Sequence, residues 1–195
     1  MIHAHPDDEV FAGGALAPWI SSLGGTVVLH LATAGEAALG SGYSRRNARE
    51  FRLQQLDVSC SKLGIADWRL LNKGKGWIDT GGIPKGGSLS SVSLKVLTEE
   101  VVDMVRQVRP SLIIAVGRDG LTNHPDHILI RNAIDQAVGV TQDGSRCHVL
   151  GARLRRTHLA SAIQQLEKLI PEPVGTGRVV GVGDGTNLLE ICAPS

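Results

Sequence analysis

Residues 26–32 read Thr26-Val27-Val28-Leu29-His30-Leu31-Ala32, a β-branched apolar run introduced by Gly24-Gly25. Such a run belongs to a strand buried on both faces of a parallel sheet, and it sets the fold class. Residues 111–116 (SLIIAV), entered from Pro110, form a second run of the same kind. Residues 68–71 and 148–152 read as weaker strands, and 2–4 as the end of one. Helical patterns fall at 9–23, 45–63, 91–109, 125–138 and 159–170, the last four closed by Gly64, Pro110, Gly139 and Pro171. Pro18 should kink the first helix or end it early. Strand and helix alternate, which implies α/β: a Rossmann-like three-layer fold with a mostly parallel sheet of about five strands. The Gly/Ser/Lys-rich stretch 72–90, containing Trp77, is a long loop of the kind that is usually functional or mobile.

The chain has 195 residues, enough for one domain with a sizeable core. Its formal net charge of +1 supplies no global field for nucleic acid, membrane or a strongly acidic partner. Arg153, Arg155 and Arg156 read as a solvated edge. Aromatic residues make up only 3% of the chain, which leaves little for stacking on single-stranded bases. Cys60, Cys147 and Cys192 are widely spaced, without a CxxC pair, so neither a disulfide framework nor a thiolate metal site is expected and a cytoplasmic location is. No apolar run approaches the ~18 residues of a membrane span.

Two segments carry chemistry. His5-Pro6-Asp7-Asp8-Glu9 lies just after the first strand and opens the first helix; His124-Pro125-Asp126-His127 follows the 111–116 strand and opens another. In open α/β sheets, sites form outside the carboxyl ends of the strands, near the point where strand order reverses, so both segments stand where a site is expected. An isolated HxxD more often describes a helix N-cap than a ligand pair; the second segment turns the pattern into a site. His5 and Asp8 are one helical turn apart and can reach one ion, and His127 can complete three ligands. Three N/O ligands with an open position suit catalytic Zn²⁺, and two His with one carboxylate also suit Fe²⁺. An ion held this way makes water acidic enough to ionise near neutral pH. Asp7 is then the natural general base, and His124 is left to polarise a substrate oxygen or to protonate a leaving amine. Asp126 reads as a partner orienting His124, and Glu9 as a carboxylate stabilising the helix terminus. His3, His30, His148 and His158 read as packing or surface residues. The chain lacks a GxGxxG after the first strand, a GxSxG and a Walker-type GK[ST], which removes NAD, serine-hydrolase and nucleotide-hydrolase readings.

At these residues the chain resembles the LmbE/PIG-L family of metal-dependent N-acetylglucosaminyl deacetylases. Ala4 to Glu9 (AHPDDE) matches the family's first marker, and Asp119 to His127 (DGLTNHPDH) its second, with Asn123 where Gly is usual. Thr33-Ala34-Gly35-Glu36 resembles the family's TxGE. The resemblance runs from the first residues to about Val138. It implies an LmbE-like fold, Zn²⁺ on His5, Asp8 and His127, Asp7 as general base and His124 on the oxyanion. The family's Arg-x-x-Glu is represented by Arg52 with Gln55 in place of Glu, which makes Arg52 a candidate substrate contact; Lys75-Gly76 stands where relatives often have Asp-Gly.

The expectation is therefore one LmbE/PIG-L-like domain over 1–195 that removes the acetyl group from a small N-acetylglucosamine-type conjugate. Two marks of truncation accompany it: only four residues precede His5, and no helix pattern follows the strand-like 187–192. They motivate the alternative of a weakly active or inactive sugar- or metal-binding descendant. The motifs leave the aglycone, the physiological metal and the oligomeric state open.

Overall fold

The computed structural model describes residues 1–141 and 147–155, with Thr157, Ala160, Ser161, Gln164 and Gln165. The helix expected at 159–170 lies mostly outside these residues. Arg156, His158, Cys192 and the strand-like 187–192 lie wholly outside them.

β1 (Ile2–His3) pairs in parallel with β2 (Val28–Leu31), and β2 with β3 (Asp67–Leu70); His3 faces Leu31, and Leu31 faces Leu70. A second parallel ladder joins β4 (Leu112–Val116) to β5 (His148–Ala152). β4 packs alongside β1, giving the spatial order β3-β2-β1-β4-β5. The expected five strands are present, but as ladders of three and two among the described residues. The reason is the length of β1, whose two residues offer too few N–H and C=O groups to build ladders on both sides. Strand order reverses between β1 and β4, the switch point at which both His-Pro-Asp segments leave the sheet.

Successive strand residues face opposite layers. Ile113 and Ala115 join Leu97 and Val101 of α4 (Leu94–Val108) and, past the single-turn α5 (Gly120–Asn123), Ile130 and Ile134 of α6 (Pro125–Thr141) in one core. Ile114 joins Leu29, Leu31, Ala17 of α2 (Leu16–Ser22) and Leu56 and Cys60 of α3 (Arg45–Leu63) in the other. The sheet thus carries a core on each face, the three-layer arrangement expected from the sequence.

Local signals explain most helix ends. The Ser44 and Ser93 side chains accept the N–H groups of Asn47 and Val96 at the starts of α3 and α4, and α3 stops at Gly64 with φ 67°. Two expectations are corrected. The single helix 9–23 is two, α1 (Asp8–Gly13) and α2, broken at Gly14 and Ala15, ahead of Pro18. Pro18 lies in the first turn of α2, where no intrahelical N–H bond is required. α6 also continues through Gly139 to Thr141. One interior glycine costs only about 1 kcal/mol, and burial of Ile134, Ala137 and Val138 against α4 outweighs it. Among the described residues, no helix is long and apolar enough to cross a membrane.

Candidate active site

The segment after β1 is held from below by α3. Arg52, Leu56 and Ser59 lie four and three residues apart, on one face of that helix. Ser59 Oγ donates to Glu9 Oε1 (2.7 Å), and Glu9 Oε2 accepts the Asp7 N–H (2.8 Å). Glu9 is buried, so its role as the stabiliser of this helix start has a specific bond behind it. Arg52 Nη2 donates to Asp7 Oδ2 (2.8 Å) and to the Pro6 carbonyl. Together these contacts hold Asp7 at φ 98°, a left-handed conformation that a non-glycine residue seldom adopts outside functional sites. Gly35 packs beneath them with φ 71°; a Cβ there would stand 3.1 Å from both Arg52 Nε and Pro6 Cδ. That crowding accounts for the glycine of Thr33-Ala34-Gly35-Glu36.

The structure brings His5, Asp8 and His127 together. Asp8 Oδ2 accepts the N–H groups of Ala4 (3.2 Å) and His5 (3.0 Å), while Oδ1 lies 3.1 Å from His127 Nε2. His5 Nδ1 lies 3.1 Å from His127 Nε2 and 3.8 Å from Asp8 Oδ2. The outer nitrogens are engaged: His127 Nδ1 with the Gly120 carbonyl (2.9 Å), His5 Nε2 with Asp126 Oδ2 (3.3 Å). A carbonyl only accepts, so His127 Nδ1 carries the proton and its Nε2 presents a lone pair inward; an ionised Asp126 imposes the same choice on His5. Two lone pairs 3.1 Å apart need a proton or a cation between them. Nitrogens ~2.0–2.1 Å from a tetrahedral Zn²⁺ stand about 3.3 Å apart, so the spacing and the N/O donor set fit such an ion.

The surrounding charge points the same way. His5 has three carboxylates near it: Asp126, Asp79 (3.7 Å) and Asp8. Burial would lower the His5 pKa, but these carboxylates, led by the Asp126 hydrogen bond, raise it. Burial would raise the Asp8 carboxyl, yet the His127 imidazole beside it, with His5 close by, holds it well below the usual carboxylate range. Asp126 is likewise lowered, despite burial, by hydrogen bonds from His5 and Ser90. Asp7 departs in the opposite direction: burial and the neighbouring Asp8 charge raise its carboxyl against the pull of Arg52 and His5. Burial, then the charges of His5 and His127, lowers His124. A neutral His124 accepts the Asp126 N–H at Nδ1 (3.2 Å), which leaves Nε2 as the donor.

Several placements differ from the sequence reading. Asp126 meets His124 through its backbone N–H, whereas its carboxylate supports His5. Arg52, a candidate substrate contact, lines the cavity while also bonded to Asp7, Pro6 and Gln55. Asp79 was not singled out and is central. The long loop 72–90 delivers it to the site, where its N–H donates to Glu36 Oε2 (3.1 Å) and its Oδ2 accepts from Ala37 (3.3 Å). The same loop supplies Ser90, whose Oγ donates to Asp126 Oδ1 (2.7 Å). The signal available was the loop's length. Among the described residues, two groups each have their donor atoms within 4.8 Å of one another: His5, His124 and His127, and His5, Asp79 and Asp126. Cys60 and Cys147 stand apart from the site; burial, with the charges of Glu9 and Asp57, pushes the Cys60 thiol up to about 12.

His5, Asp7, Asp8, Arg52, His124 and His127 line one cavity of about 530 Å³. PIG-L, the family described as GlcNAc-PI de-N-acetylase, matches residues 1–138, a span that contains every one of these side chains. A 1D-myo-inositol 2-acetamido-2-deoxy-α-D-glucopyranoside deacetylase of Catenulispora acidiphila is 32% identical over 142 residues, covering 66% of this chain and 46% of the relative. The chain spans about half the length of the curated relatives it matches. Among solved structures, an N,N'-diacetylchitobiose deacetylase from Pyrococcus horikoshii superposes with a TM-score of 0.59 at 20% identity, covering 78% of this chain and 57% of that one. A 4-carboxy-2-hydroxymuconate hydratase from Pseudomonas putida superposes with a TM-score of 0.57 at 17% identity, covering 77% and 60%. At these identities the superpositions speak for the fold, and two different reactions share it.

Proposed function

The chain belongs to the PIG-L family, and from that premise we propose that it is a metal-dependent amide hydrolase removing acetyl from an N-acetylglucosamine-type sugar conjugate. One observation carries the reading. An upward-shifted carboxylate, Asp7, and an N–H donor, His124 Nε2, line the same cavity as an inward-facing N/O donor trio. That division of labour suits hydrolysis.

His5 Nδ1, His127 Nε2 and Asp8 would hold the ion, with Zn²⁺ or Fe²⁺ both compatible with the donor set. When bound, it supplies Lewis-acid polarisation and acidifies water. Asp7 accepts a proton from the attacking water, and its raised pKa makes it a stronger base than an ordinary carboxylate. Arg52 keeps that carboxylate aimed at the cavity. His124 Nε2 donates to the oxygen on which negative charge develops as the carbonyl becomes tetrahedral. The proton held by Asp7 passes to the leaving nitrogen, and acetate and a free amine result.

The test is acetate release from N-acetylated glucosaminides by protein reconstituted with Zn²⁺ or Fe²⁺. Turnover that disappears with a chelator and returns with metal is expected. Bound metal and bound sugar without acetate release would overturn the hydrolase reading.

A further inference from the structure

The cavity has two unlike halves. One is the polar cluster; the other is apolar, formed by Phe11, Leu154 and the buried Leu121, with Ala37 and Ala38. Phe11 lies on α1, one turn beyond Asp7, and lines the same cavity. The ring is 72% exposed and packs into neither core cluster. Leu154 is 37% exposed, beyond the end of β5.

Leu121 shows that this apolar half is built. It sits at φ 61°, a left-handed conformation that is strained for a bulky side chain, and the Asp119 carboxylate holds its N–H at 3.2 Å. The strain sets an apolar side chain in the cavity beside His124 and His127. Among the described lining residues, Arg52 is the one permanent cation, and Asp7 occupies it. Among the described residues, the apolar half therefore presents no charge for a phosphate and, at Phe11, Leu121 and Leu154, no side-chain polar group for a polyol.

We infer that the site takes an N-acetylglucosaminide whose aglycone is apolar, its chain or ring covering the exposed Phe11 and Leu154 beside the buried Leu121, in preference to a polar cyclitol aglycone such as inositol. This rests on the hydrolase reading above and specifies its substrate. Desolvating the exposed Phe11 ring supplies the gain that a hydroxylated aglycone cannot give.

The experiment compares two α-glycosides of N-acetylglucosamine, one with a hexyl aglycone and one with 1D-myo-inositol, by acetate release and by calorimetric binding to metal-free protein. The hexyl glycoside should lead by about tenfold or more in kcat/KM and in affinity. Phe11→Ser, at an exposed position that threatens no core packing, should cut that ratio several-fold in both readouts. Acetate from both substrates with inositol preferred, or a ratio unmoved by Phe11→Ser, overturns the inference and leaves the hydrolase reading standing. No acetate from either glycoside overturns the hydrolase reading and the inference with it.

Discussion

His5 Nδ1 faces His127 Nε2 across 3.1 Å, with the outer nitrogens of both rings committed to Asp126 and to the Gly120 carbonyl. The pair is brought from opposite sides of the β1–β4 switch point, 122 residues apart in sequence, and would form two halves of the proposed chelate. Outward bonds that fix each tautomer also fix the direction of each lone pair, a common arrangement behind metal-binding imidazoles.

The first prediction concerns the ion. Removing either imidazole leaves one nitrogen and one carboxylate, too few to compete with water. His5→Ala and His127→Ala should each lose at least ~90% of bound metal after dialysis, as read by elemental analysis. In the unmodified chain, metal should raise the thermal midpoint, because a ligand binding only the folded state stabilises it. Stoichiometric metal in either variant would exclude that residue as a ligand.

Asp7 is tested separately from the ligands. Asp7→Asn keeps the side chain's size and its contact with Arg52 while removing the base, so kcat should fall by about 10²–10⁴ with metal content unchanged. Undiminished turnover would take Asp7 out of the reaction.

Arg52 distinguishes positioning from substrate binding. Its Nη2 already serves Asp7 Oδ2 and the Pro6 carbonyl. Arg52→Ala should therefore lower kcat by about tenfold or more while KM stays within about twofold, and Arg52→Lys should recover part of the loss. A rise in KM alone would return Arg52 to the substrate-contact role that its place in the sequence suggests.

The sequence was most legible where chemistry and chain direction coincide. The runs 26–32 and 111–116 became β2 and β4, and the two His-Pro-Asp segments met because each leaves a strand at the reversal of strand order. Asn123, at φ 58°, accounts for the departure from glycine: Asn tolerates the left-handed conformation better than most side chains. Tertiary partners were less legible. Asp126 has both its neighbouring His124 and the distant His5 within reach, and only the packed fold decides which meets its carboxylate. Asp79 lies in a loop without periodicity, and its approach to His5 depends on Glu36 and Ala37, some forty residues away. Left-handed Leu121 carries no sequence signal, since leucine does not favour that conformation, and aspartate at Asp7 tolerates it without marking it.

The last prediction is a pH dependence of stability. His3 is fully buried in β1, neither ring nitrogen has a hydrogen-bond partner, and burial drives its pKa down to about 3. In the unfolded chain the same imidazole titrates near the model value of 6.5. Between those values the unfolded state binds a proton that the folded state refuses, so stability rises with pH there. The contribution is fully present above about pH 6.5 and is lost progressively as pH falls towards 3. His30, lowered to about 4 mainly by burial, adds to the same trend. Chemical denaturation of metal-free protein should show stability falling from pH 7 to 4.5. His3→Leu should remove up to about 1.4 kcal/mol per pH unit of that slope. A slope unchanged in His3→Leu would mean that His3 is protonated in the folded protein, and the neutral, unpartnered imidazole beside the site would have to be abandoned.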